Sequence, residues 1–310
     1  MTGVVTVLDG GMGRELLRIG APFRQPEWSA LALLEGPEWV VRAHANFIDA
    51  GAEVITTNSY AIVPFHLGEE RFTADAAGLA DLAGRLARRA ASESPRPIAV
   101  AGSLPPLFGS YLPDRFDAAD APRIIDPLVD GLADHVDHWL GETLSSVAEA
   151  AAVRSALDRA GAGADRPLWI SFTVEERAGS AVLRSGEDVG EAAAAAVDLG
   201  ATAVLFNCSQ AETITVAIER ALERVGAVAD VGGYANRFVA AHTSTGAANA
   251  QISAFRDDLD PPSYGEFVSR WIDRGATIVG GCCGMEPVHI AHLAGLVHPD
   301  AGPGADSRRR

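Results

Sequence analysis

Eight short runs of β-branched and apolar residues recur along the chain, each followed by a longer segment with a different rhythm. The runs cover residues 4–8, 53–57, 98–102, 138–141, 168–172, 203–207, 228–232 and 277–281. They are too short for buried helices and read as the near-continuous apolar strands of a parallel sheet. The segments at 37–50, 74–92, 122–135, 144–160, 186–199, 212–224 and 263–274 carry apolar residues at helical spacing. Pro37 and Pro122 stand near two of their starts, where the missing N–H is no loss. Strands alternating with helices predict an α/β chain with a parallel sheet. Eight such units in 310 residues predict a closed (β/α)8 TIM barrel rather than an open doubly wound sheet. One barrel domain is expected over residues 1–300, with the Gly-rich, basic end "AGPGADSRRR" at 301–310 as a disordered tail. Two connections are unusually long, 103–120 after the third strand and 234–262 after the seventh, and loops of that length in a compact domain are often functional.

Charge and composition narrow the function. The net charge of −16 argues against a nucleic-acid partner and against an anionic membrane face. No apolar run approaches the roughly 18 residues of a membrane span. The start, "MTGVVTVLDGGMG", lacks the basic and long apolar regions of a signal peptide, so a cytoplasmic location is expected. All 25 basic residues are arginine. Without lysine, Schiff-base chemistry, pyridoxal-phosphate catalysis and a P-loop are excluded.

In a (β/α)8 barrel, chemistry gathers at the C-terminal ends of the strands. The residues expected there are Asp9-Gly10-Gly11, Thr57-Asn58-Ser59-Tyr60, Ser103, Glu142-Thr143, Thr173, Asn207-Cys208-Ser209, Tyr234-Ala235-Asn236 and Cys282-Cys283. All 3 cysteines of the chain fall on this rim, at the ends of the sixth and eighth strands. Adjacent cysteines do not readily bond to one another. Glycines on both sides of Cys282-Cys283 permit a sharp turn that would let both sulfurs converge with Cys208. Three thiolates with a vacant fourth position suit Zn2+. The alternatives are three small buried residues and a redox dithiol.

The stretches "LDGGMGREL" (8–16), "PEWSA" (26–30), "GAEVITTNSY" (51–60), "GET" (141–143), "PLWISF" (167–172), "FNCS" (206–209) and "GGCCG" (280–284) come in a familiar order. Together the chain resembles the zinc-dependent homocysteine S-methyltransferases, the family of the S-methylmethionine– and betaine–homocysteine methyltransferases. The resemblance implies a (β/α)8 barrel and a zinc ion held by Cys208, Cys282 and Cys283. It also implies that Asp9, Gly10 and Glu142 lie at the amino-acid end of homocysteine, with Thr57, Asn58 and Ser59 in the same pocket. The segments "AGSLPPLFGSYLPD" and "GGYANRF", and the loop after them, depart from the commonest family pattern, so the methyl donor is not carried over.

Chemistry supports the same picture. A thiolate is the nucleophile in methyl transfer, and zinc in an open site would bind the homocysteine sulfur and deprotonate it. The expected reaction moves a methyl group from a sulfonium donor, S-methylmethionine or S-adenosylmethionine, to zinc-bound homocysteine thiolate, giving methionine. A cationic donor would rest against aromatic faces, for which Trp28, Tyr60 and Tyr111 are candidates, each with packing as its alternative. Glu142 would pair with the substrate ammonium or else be a rim carboxylate bonded to backbone. The glycine turn after Asp9 would bind the substrate carboxylate or else be a plain tight turn. Asn207 would hold the strand end behind the metal or else cap backbone. His44 and His242 read as packing or surface residues. The expected partners are homocysteine and a methyl donor, and a homo-oligomer is compatible with the sequence. Other readings are a betaine-dependent enzyme, a methyltransferase for another thiol or selenol, and a non-catalytic zinc-binding barrel.

Overall fold

The computed structural model of the chain describes residues 4–163, 165–175, 179, 181–239 and 254–299. Its strands are β1 (Thr6–Val7), β2 (Val54–Thr56), β3 (Ala99–Leu104), β4 (His138–Leu144), β5 (Leu168–Phe172), β6 (Ala201–Asn207), β7 (Asp230–Tyr234) and β8 (Ile278–Val279). All pair in parallel in the order β1-β8-β7-β6-β5-β4-β3-β2. A bridge between Leu8 and Val54 joins the two ends, where the Glu53 N–H donates to the Val7 carbonyl at 2.8 Å. The sheet therefore closes as the (β/α)8 barrel read from the sequence.

The helices are α1 (Met12–Ile19), α2 (Ala30–Glu35), α3 (Pro37–Asp49), α4 (Pro64–Leu67), α5 (Glu69–Glu93), α6 (Ala121–Leu132), α7 (Val147–Arg159), α8 (Val189–Asp198), α9 (Ala211–Val225), α10 (Pro261–Arg274) and α11 (Pro287–Val297). Their starts follow from local chemistry. Ser146 and Glu149 form a reciprocal capping box on α7. Asp188 and Asp260 cap α8 and α10 by accepting from first-turn N–H groups. The core has two layers. Leu8, Val54, Leu140, Trp169, Leu205 and Ile278 belong to the cluster inside the barrel, and a larger cluster fills the space between strands and helices.

Several boundaries differ from the sequence reading. The seventh strand begins at Asp230 rather than 228, because Val228 sits in the turn that closes α9 and is 71% exposed. The fourth strand runs on to Leu144 through an irregular register, which takes Leu144 out of the helix expected from 144. The first strand is shorter than expected, and Val4 is exposed. Helices α1, α2, α4 and α11 fall outside the segments expected from sequence, and α5 starts five residues before the expected 74. The tail at 301–310 and His242 lie outside the described residues. His44 packs fully buried on α3.

Candidate active site

At the end of β6 the chain turns sharply at Cys208, whose φ of 51° is left-handed. Beyond β8, Gly280 and Gly281 lead into Cys282 and Cys283. This cysteine turn is pinned to the end of β7. The Cys282 N–H donates to the Ala235 carbonyl at 2.9 Å, and the Arg237 N–H donates to the Cys283 carbonyl at 2.8 Å. The strand-one turn lies directly against it. A Cβ on Gly11 would stand 2.8 Å from the Cys282 carbonyl oxygen and 3.1 Å from the Gly284 nitrogen, so only glycine permits this approach.

The three sulfurs meet. Cys208 Sγ lies 2.9 Å from Cys282 Sγ and 3.8 Å from Cys283 Sγ, and all three fall within 4.8 Å of one another. Among the described residues no other set of three His, Cys, Asp or Glu side chains converges this closely. All three are free thiols. A tetrahedral ion with metal–sulfur bonds of about 2.3 Å sets its sulfurs about 3.8 Å apart. The Cys208–Cys283 separation already has that value, and Cys282 needs to move back by about 1 Å. The donor set fits a thiophilic ion. Without one, the cluster concentrates its charge on Cys283. Hydrogen bonds from Cys208 and Cys282 hold that thiol well below its ordinary range. Cys282 is pushed well above it by its bonds to Cys208 and Cys283 and by burial.

Two carboxylates face the same pocket. Glu142, at the end of β4, accepts from the Ser103 hydroxyl at 2.6 Å and from the Tyr234 hydroxyl at 3.2 Å. Burial pushes it up to about 7, against the pull of the Ser103 bond. Asp9, after β1, accepts from the Thr56 N–H at 2.8 Å and the Thr56 hydroxyl at 3.2 Å. Burial pushes it up to about 8, and the nearby Glu142 charge adds to the effect. Both groups are more easily protonated in the fold than in the unfolded chain. Their contribution to stability is complete below the ordinary carboxylate range and is lost as pH rises through about 7 for Glu142 and about 8 for Asp9. The metal-free protein is expected to lose roughly a few degrees of melting temperature between pH 5 and pH 8. In Glu142→Gln the loss is expected to be smaller. Equal losses in the two proteins, followed by thermal melts across that range, would show that Glu142 does not titrate there.

Backbone strain marks the same place. The described non-glycine residues with positive φ are Trp28, Tyr111, Thr143 and Cys208, and all four line this pocket. Such conformations cost on the order of 1–3 kcal/mol each and gather at functional sites. Asn207 links two of these strained ends. Its Nδ2 donates to the Thr143 hydroxyl at 2.8 Å and points at Cys282 Sγ at 3.8 Å, while its Oδ1 accepts from the Thr143 N–H at 3.2 Å.

Of the other residues expected from sequence, Gly10, Thr57 and Asn58 line the pocket. Thr57 and Ser59 share a hydrogen bond of 2.8 Å, and Ser59 gives its hydroxyl to the Ser103 carbonyl at 2.7 Å, behind the pocket wall. Asn58 donates to the Ser29 carbonyl at 3.0 Å. The turn after Asp9 has fewer N–H groups to offer than expected, because Asp9 N–H is bonded to Val54 and Gly11 N–H to Met285. Trp28 packs edge-on against Phe23, the Tyr60 hydroxyl pairs with Ser110 at 2.7 Å, and the Arg184 guanidinium lies 4.5 Å from the Tyr111 ring centre. All three rings line the pocket. The sequence reading placed Ser103 and Tyr234 at strand ends without joining them to Glu142. It gave no role to Arg14, although that residue stands inside "LDGGMGREL" and lines the pocket.

The chain is similar to known proteins over nearly its whole length. The family profile described as homocysteine S-methyltransferase matches residues 6–297. Homocysteine S-methyltransferase YbgG of Bacillus subtilis is 27% identical, covering 93% of each chain. Selenocysteine methyltransferase of Astragalus bisulcatus is 28% identical over 97% of this chain and 95% of its own. The metallated form of the homocysteine methyltransferase MmuM from Escherichia coli superposes with a TM-score of 0.76 at 25% identity, covering 95% of this chain and 96% of that one.

Proposed function

Because the chain belongs to the homocysteine S-methyltransferase family, we propose that this pocket transfers a methyl group from a sulfonium donor, S-methylmethionine or S-adenosylmethionine, to the sulfur of homocysteine. The donor C–S bond breaks as the new S–C bond forms. Methionine is the product, and the donor leaves as a neutral thioether. The observation that carries this reading is the convergence of three cysteine sulfurs in a pocket that also presents two carboxylates.

In this reading Cys208, Cys282 and Cys283 hold zinc, since a soft thiolate set favours zinc over magnesium or calcium. The bound ion would supply a lowered thiol pKa, so that the acceptor sulfur is a thiolate at neutral pH. The chain's own residues do the rest. Glu142, steadied by Ser103 and Tyr234, takes the homocysteine ammonium, and that cation favours its ionised form. Asp9 and Gly10 close the same end, with Thr57 and Asn58 as wall and Ser59 behind them. Asn207 keeps Cys282 in register with the end of β4. The rings of Trp28, Tyr60 and Tyr111 offer faces to a donor cation. We treat residues 1–300 as one barrel. No helix among the described residues is long and apolar enough to cross a membrane. The free thiols fit a reducing cytoplasm, which is where this reading puts the enzyme. Likeness to a selenocysteine methyltransferase supports a second acceptor class, a selenol.

The donor is tested by giving zinc-loaded protein homocysteine with S-methylmethionine, S-adenosylmethionine, betaine or a methylfolate, one at a time, and measuring methionine. Turnover with either sulfonium is the expected result. Turnover with betaine alone would reassign the donor. Failure with every donor, alongside turnover of selenocysteine, would move the reading to the selenol.

A further inference from the structure

The pocket wall is acidic apart from one guanidinium. Asp9, Glu142 and the three cysteines line it, and Arg14 is the one Lys or Arg among the described lining residues. Arg14 stands in the first turn of α1, where the N–H groups of Met12 and Gly13 precede any intrahelical acceptor. Its guanidinium carbon lies 4.6 Å from the Phe255 ring centre and 5.3 Å from that of Phe238. These two rings stack at 5.8 Å with planes 4° apart. Phe255 in turn packs on the cysteine turn, since a Cβ on Gly284 would meet its ring at 2.7 Å. The aromatic pair thus holds Arg14 beside the cysteine turn.

We propose that Arg14, backed by the N-terminus of α1, binds the α-carboxylate of the acceptor and restricts the enzyme to amino-acid thiols. This rests on the reading that an amino-acid thiol is the acceptor. A zwitterion needs an anion for its ammonium and a cation for its carboxylate. Glu142 on β4 and Arg14 after β1 supply the two from different strand ends. The acceptor's carboxylate is only a few bonds from its sulfur, so it falls near the cysteine turn that Arg14 adjoins. A donor's carboxylate lies beyond its sulfonium, on the far side of the transferred methyl group, and is out of reach. Arginine suits the task because its planar fork matches a carboxylate in two parallel hydrogen bonds.

The test compares homocysteine with the aminopropanethiol that lacks only the carboxylate. Both are assayed as methyl acceptors and titrated calorimetrically into zinc-loaded wild type, Arg14→Met and Arg14→Lys. Methionine keeps the apolar stem against Phe238 and Phe255 and removes the charge. A charge-assisted hydrogen bond to the substrate predicts that Arg14→Met raises the KM for homocysteine about 30-fold with little change in kcat. The variant is expected to handle the aminopropanethiol within about twofold of wild type, and Arg14→Lys to recover part of the loss. A purely structural role would weaken both thiols alike, and that result overturns the proposal. So does an Arg14→Met protein that keeps the wild-type preference for homocysteine. If wild type methylates neither thiol, the calorimetric preference decides. Preference present in wild type and lost in Arg14→Met upholds the carboxylate anchor while the reaction reading fails. No binding of homocysteine to wild type overturns both.

Discussion

Replacing Cys208 with serine is expected to abolish zinc retention and to cut methyl transfer by on the order of 1,000-fold or more. Changes to residues that merely orient metal ligands cost roughly 10–100-fold, and loss of a ligand costs more. Cys208 is the hub of the sulfur cluster, hydrogen-bonded to both other cysteines. It is only 5% exposed and sits at a left-handed corner that fixes the direction of its sulfur. A serine hydroxyl fills most of the same space but is a poor partner for a thiophilic ion. The fold should survive, because the corner is held by backbone and by Asn207 and Ser209 on either side. Metal analysis after gel filtration, with circular dichroism as the control, reads the result. A folded variant that retains one zinc per chain and turns over normally would remove the cysteines from the mechanism.

The second large effect is expected at Glu142. Removing it in Glu142→Ala takes away the proposed partner of the substrate ammonium and leaves the Ser103 and Tyr234 hydroxyls facing an empty space. Truncating one member of a buried charge pair costs about 2–5 kcal/mol, so kcat/KM for homocysteine should fall by roughly 30- to 5,000-fold. Zinc content should not change, which separates this variant from Cys208→Ser. Tyr234→Phe gives a finer test. The Tyr234 hydroxyl stabilises the ionised carboxylate, so its loss raises the Glu142 pKa above about 7. The rising limb of the kcat/KM profile should then shift to higher pH. A profile that stays in place would mean that Glu142 ionisation does not govern homocysteine binding.

How much of this was visible in the sequence differs from element to element. The fifth strand is apolar but for Ser171 and buried along its whole length, and its bounds matched the reading. The seventh misled because Val228 is apolar yet lies in an exposed turn, where composition and burial part company. Helix α11, "PVHIAHLAGLV", is apolar nearly all round and has little of the amphipathic stripe by which a helix is recognised. The expected start of α5 came too late because "EERF" opens it with charged residues that carry no apolar rhythm.

At the pocket, the cysteines and carboxylates were legible because the barrel sends every strand end to one rim. The bonds between them were not. Ser103 and Tyr234 reach Glu142 from 39 and 92 residues away, Ser103 from the adjacent strand β3 and Tyr234 from β7 three strands along the sheet, so the closure of the barrel decides that they meet. The left-handed corners at Trp28, Tyr111, Thr143 and Cys208 were equally hidden, since none of these residue types advertises a positive φ. Arg14 needed the fold of the strand-seven segment, whose Phe238 and Phe255 lie far from it in sequence.

The account stands most directly on whether methyl transfer follows the metal at the three cysteines. Homocysteine carrying deuterium on its carbon chain distinguishes new methionine from any released by S-methylmethionine. The protein is stripped with a chelator, then reloaded in steps with zinc, and deuterated methionine is measured at each step. The account predicts no product from stripped protein and a rate that rises in proportion to bound zinc, saturating at one ion per chain. Equal rates in stripped and reloaded protein would contradict it.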